Sequence, residues 1–117
     1  MTFFEKIFKK EEEIDIEEFL NNLDVEEESM VEDADAYVKP IPLSSDSDSQ
    51  LASDELKKGN IVLLNIGDLS KRNAIKLREL ISRVKITVDE INGDIARISN
   101  DRVLVTPARV KIIKRKE

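Results

Sequence analysis

Residues 60–66, Asn-Ile-Val-Leu-Leu-Asn-Ile, would carry apolar side chains on both faces of any strand they form. Ile61 and Leu63 would point one way and Val62, Leu64 and Ile66 the other, because successive side chains alternate across a strand. A strand that is apolar on both faces has to be covered on both faces. One layer of helix covers only one of them. This heptapeptide therefore sets the central question of the fold: what covers its second side?

The flanking segments supply the first cover. Ala74, Leu77, Ile81, Val84, Val88 and Ile91 recur in steps of three and four, which predicts a long helix over 70–91. Asp68 or Ser70 can cap its start, and Asn92-Gly93 offers a left-handed exit. Residues 93–110, GDIARISNDRVLVTPARV, read as a β-hairpin turned at Asn100-Asp101. Ile95 and Arg97 alternate there with Ala96 and Ile98, as Val103 and Val105 do with Leu104 and Thr106. A last strand is expected over Arg109–Lys114, with Val110 and Ile112 on one face.

Upstream, Tyr37–Leu43 is extended, and Pro40 and Pro42 place it at a sheet edge because neither can donate to a ladder. Asp48-Ser49 can cap a short helix that buries Leu51 and Leu56, runs to Lys58 and stops at Gly59. That cap explains the Asp46/Asp48 pair without a metal. The order β-α-β-α-β-β-β describes an α+β protein, an α/β sandwich. About five strands form one mixed sheet with two helices on one face. Nothing remains to cover the other face, so a second copy stacked sheet to sheet is expected, a homodimer meeting around Ile95 and Val105.

Charge divides the chain. Residues 11–35 hold thirteen Asp and Glu and no Lys or Arg, whereas residues 59–117 hold thirteen Lys and Arg against seven acids. So dense a run of like charge resists folding, and 13–36 is read as an acidic tether, unfolded or transiently helical. Before it, 1–12 can form an amphipathic helix. Phe4, Ile7 and Phe8 share a face flanked by Phe3, with Lys6, Lys9 and Lys10 beside it, a pattern suited to the surface of an anionic bilayer. The core domain spans 37–114, and 115–117 is a basic tail.

The chain has no Cys and no His, so it lacks a thiolate nucleophile and the commonest general base. No P-loop and no nucleophile–base pair occurs either. An enzyme is not expected, nor a cofactor or a bound metal. A small domain that is basic from Gly59 onward could bind nucleic acid, but its sheet lacks the aromatic pair that stacks bases.

KPIPLSSDSD, ELKKGNIVLLNI, the helix containing RNAIKLREL, and NGDIARISNDRVLVTP together resemble the core of the SepF cell-division family in its archaeal form. The likeness runs from about Val38 to Ile113. It implies a non-enzymatic cytoplasmic protein on the inner face of the membrane at the division site. There it would anchor the polymerising GTPase FtsZ by binding its C-terminal peptide. The G-D-I hairpin implies peptide contacts at Arg97 and Val103, and the family's N-terminal amphipathic helix implies lipid as the second partner. Asn92-Gly93 stands where many bacterial members carry Gly-Gly, which removes the family's support for assembly beyond the dimer.

Overall fold

The computed structural model describes residues 16–23 and 33–115. The first stretch and the domain from Ala34 onward are separate units. Residues 16–21, inside the acidic stretch, are helical (α1), and Ile16, Phe19, Leu20 and Leu23 are exposed at helical spacing. Phe3, Phe4, Lys6, Ile7, Phe8, Lys9 and Lys10 lie outside the described residues. No helix among the described residues is long and apolar enough to cross a membrane.

The domain runs β1 (Val38–Pro42), α2 (Asp46–Lys57), β2 (Ile61–Asn65), α3 (Gly67–Arg72), α4 (Ala74–Ile91), β3 (Asp94–Ser99) and β4 (Arg102–Thr106). The strands form one mixed sheet in the order β1-β2-β4-β3. β1 lies parallel to β2 through the α2 crossover, and the other pairs are antiparallel. The α+β sandwich is as expected, with four strands rather than five.

The missing strand has a local cause. After Thr106 the chain turns through Pro107 and Ala108, and Arg109 adopts a left-handed backbone at φ +67. Residues 110–115 then pass the start of β3 held by side chains instead of a ladder. The Asp94 carboxylate accepts from the Ile112 N–H at 2.9 Å and from Lys114 Nζ at 3.0 Å. Lys111 Nζ donates to the Asn92 and Gly93 carbonyls at 3.1 and 2.9 Å.

These contacts give the latch a pH dependence. The Ile112 N–H first, then Lys114 and the Ile95 N–H, hold the Asp94 carboxyl down at about 2. A carboxyl depressed on folding stabilises the fold above its unfolded value near 3.9 and loses that contribution as pH falls towards its folded value. Melting temperature should therefore fall between about pH 4 and pH 2, and Asp94→Asn should make that fall shallower. Asp46 and Asp48 are depressed too and keep part of the slope. An unchanged pH profile in Asp94→Asn contradicts the latch.

Two helix boundaries move from their expected places. α2 starts three residues early because Ser45 and Asp48 form a reciprocal capping box. Burial pushes the Asp48 carboxyl up, but the bonds it accepts from Ser44 and Ser45 outweigh that and hold it low. The helix turns Ser49, Ala52, Ser53 and Leu56 inward and leaves Leu51 47% exposed, so of the two leucines expected to be buried only Leu56 is. The long helix expected over 70–91 is broken at Asn73, which is extended at φ −156. Its Oδ1 accepts from the Lys76 N–H at 3.0 Å, so it caps α4 in place of Asp68 or Ser70. The exit at Asn92 is left-handed (φ 58), and Gly59 after α2 has φ +93, both as expected.

The core lies wholly on one face of the sheet. Ile41, Leu43, Val62, Leu64, Val103 and Val105 meet Ala52, Leu56, Leu80, Val84 and Val88 from α2 and α4. Ile95 packs against this cluster from the edge. Val105 is fully buried and pairs with both Val62 and Ile95, so all three share the helix-covered face. Ile95 and Val105 are thus corrected from the open sheet face to the core. The face left open carries their alternates, Ile61, Leu63, Ala96 and Leu104, each half-buried, beside Val38 and Ile98, which are 60% and 54% exposed.

Candidate functional site

Among the described residues, two recesses bear on the site. A 240 Å³ recess between α2 and α4 is lined by Asp46, Ser53, Arg83 and Thr87. These four side chains are engaged with neighbouring groups. Thr87 Oγ1 donates to Ser53 Oγ at 3.0 Å, and Asp46 accepts from Lys76 at 3.0 Å and Arg83 at 2.7 Å. Those cations, Lys76 foremost, hold the Asp46 carboxyl below its usual value. This recess is a structural seam.

The second is a groove of about 550 Å³ between α3 and the β3–β4 hairpin. Gly67, Ser70 and Lys71 form one wall; Arg97, Ser99 and Asp101 stand on the other. The hairpin is fixed in place at its turn, where the Ile66 N–H donates to the Asp101 carbonyl at 2.9 Å. Asn65 Oδ1 accepts from the Gly67 N–H at 3.0 Å, setting the entry to α3. A side chain at Gly67 would place its Cβ 3.0 Å from Asp101 Cβ, so glycine is what lets the walls approach.

A register shift between Arg97 and Ser99 turns the end of β3. Arg97 is exposed there, and its guanidinium donates only to main-chain carbonyls, Nε to Ser99 at 3.0 Å and Nη2 to Asn100 at 2.5 Å. The one carboxylate in the groove, Asp101, accepts from Ser99 Oγ at 3.1 Å and pairs with Arg102 at 3.3 Å. Arg97 therefore has no acidic partner among the described residues. Val103 is its cross-strand partner, so the structure brings the two expected peptide contacts together. Only Arg97 is open to a ligand, however. Val103 is 7% exposed and belongs to the core beneath it. Gly67, Ser70 and Lys71 are not expected from the sequence as site residues, Ser70 being read only as a helix cap, since no local spacing links them to residues about thirty positions on.

An α/β sandwich with one bare sheet face and a polar groove at its hairpin defines the class, a small α+β domain. The chain belongs to the SepF family, whose model, "Cell division protein SepF", matches residues 38–112. It is similar to a SepF-like protein from Pyrococcus furiosus, with 33% identity and a TM-score of 0.63, over 71% of this chain and 100% of that one. A SepF-like protein from Archaeoglobus fulgidus shares the fold at 22% identity and a TM-score of 0.64, covering 69% of this chain and 96% of that one. The cell division protein SepF from Methanobrevibacter smithii, solved in complex with FtsZ-CTD, shares it at 14% identity and a TM-score of 0.59, with coverage of 68% and 99%. Among proteins of curated function, none matches the chain.

Proposed function

We propose that this protein binds the C-terminal peptide of FtsZ in the groove beside Arg97 and tethers FtsZ to the cytoplasmic face of the membrane at the division site. Membership of a cell-division family and the FtsZ-CTD complex of the Methanobrevibacter smithii relative support the partner. The observation that carries the site is the Arg97 guanidinium, exposed in a groove whose only carboxylate is already engaged. A guanidinium so placed pairs readily with a peptide carboxylate.

The role is non-enzymatic, and its strength comes from number. Two copies stack through the open sheet face at Leu63, Ala96 and Leu104, giving a homodimer with two grooves and two N-terminal helices. Phe3, Phe4, Ile7 and Phe8 enter the lipid, and Lys6, Lys9 and Lys10 meet its headgroups. A single short helix binds weakly, but a pair joined in one dimer binds far more tightly through effective concentration.

Titration of full-length protein with a fluorescent FtsZ C-terminal peptide tests the site. Arg97→Glu should weaken binding by roughly thirty-fold or more, the lower end for losing one partner of an interfacial charge pair. Equal affinity in Arg97→Glu and wild type contradicts the site. Absence of wild-type binding contradicts the function.

A further inference from the structure

About half of the described cations of the domain have an acidic partner. Arg72 pairs with Asp68 at 3.1 Å, Arg83 with Asp46 and Glu79, Lys85 with Asp89 at 3.5 Å, and Lys114 with Asp94. Lys71 is different. It is exposed on α3, one residue from Arg72, and has no hydrogen-bond or ion-pair partner among the described residues. It lines the same groove as Arg97, whose Nη1 likewise has no partner among the described residues. Residues from two separate elements thus bring to one recess two positive charges with no acidic partner among the described residues.

We infer that Lys71 is a second cationic contact of this groove, and that the segment bound there presents a carboxylate to Lys71 and Arg97 together. The inference rests on the groove being the peptide site proposed above and adds the chemistry it selects. An ammonium on a flexible stem and a planar guanidinium divide the work. Arg97 can offer a carboxylate the edge formed by Nη1 and the second Nη2 hydrogen, while Lys71 follows as a point charge. Arg102 and Arg72 are held by Asp101 and Asp68, so the positive charges left open to the groove among the described residues are those of Lys71 and Arg97. That suits a single carboxylate better than a polyanionic backbone. The carboxylate can belong to an Asp or Glu side chain or to the end of the partner's chain.

The test uses full-length wild type, Lys71→Gln and Arg72→Gln. Each is titrated with the FtsZ C-terminal peptide as the free acid, as its C-terminal amide, and with its Asp and Glu changed to Asn and Gln. Lys71→Gln should weaken binding of the free-acid peptide about tenfold, the scale of one charge-assisted contact. Arg72→Gln, which removes a charge already held by Asp68, should stay within about twofold of wild type. The loss caused by Lys71→Gln should vanish with whichever altered peptide lacks the engaged carboxylate, and so identify its source.

A Lys71→Gln protein that binds like wild type overturns the inference and leaves the Arg97 site standing. So does a loss of the same size with all three peptides. Wild type that binds no form of the peptide overturns both readings. Tighter binding of a single-stranded oligonucleotide than of any peptide overturns the carboxylate assignment.

Discussion

Gly93→Ala should destabilise the domain by about 3 kcal/mol or more, the upper end for overpacking a close contact. A Cβ at Gly93 would stand 2.1 Å from the Thr106 carbonyl oxygen and 3.2 Å from that of Pro107, both main-chain atoms. Neither side can yield cheaply. The Gly93 N–H donates to the Val88 carbonyl at 2.9 Å, closing the end of α4. Thr106 is 3% exposed and ends the β4 ladder opposite Asp94, with its hydroxyl donating to the Val110 carbonyl. Relief therefore requires β3 to part from β4, or α4 to unwind. The demand at Gly93 is for space, since the left-handed turn is made by Asn92. Gly59→Ala offers the contrast, with φ +93 but nothing within 4 Å of the added carbon, and should cost only about 1 kcal/mol. Urea denaturation of the two variants separates the cases. Equal losses would contradict the close approach of Gly93 to β4.

Leu64→Ala and Leu63→Asp, on adjacent residues, should fail in different ways. Leu64 is fully buried against the helices, and removing its side chain should cost about 2–5 kcal/mol by leaving a cavity in the core. Leu63 faces the other way, opposite Leu104 and Pro40. It is half-buried in the single chain, where a carboxylate can reach water. Leu63→Asp should leave the fold intact and convert the proposed dimer to monomer, because two copies would set an Asp from each into one apolar interface. Sedimentation velocity reads the mass and urea denaturation reads the stability. A Leu63→Asp protein that remains dimeric contradicts pairing through this face.

The errors of the sequence reading have specific physical origins. Alternation shows that Ile95 goes with Val105 and Leu63 with Ile61, but β2 is apolar on both sides, and nothing local says which side the helices take. The open face of the sheet is therefore misassigned by one residue's parity. Val110 and Ile112 alternate like a strand, yet a strand needs a backbone neighbour, and the Ile112 N–H is taken by the Asp94 side chain. The break at Asn73 is hidden because the apolar stripe resumes at once on α4. Spacing did reveal the hairpin, the α4 stripe, the Gly59 stop and the Asn92 exit, each of which depends on residues close in sequence. The groove is legible only through Arg97. Lys71 reaches it from another element, a proximity that exists only after β2, α3 and the hairpin have packed.

The central claim is that one protein holds FtsZ to lipid, and co-sedimentation with anionic liposomes tests it most directly. Full-length protein and a Phe4→Glu/Phe8→Glu variant would each be mixed with FtsZ without GTP, so that FtsZ does not sediment as filaments. Wild type should pellet with the liposomes and carry FtsZ down. The variant should leave both in the supernatant while still binding the FtsZ peptide. FtsZ that pellets equally with either protein, or with neither, contradicts the account.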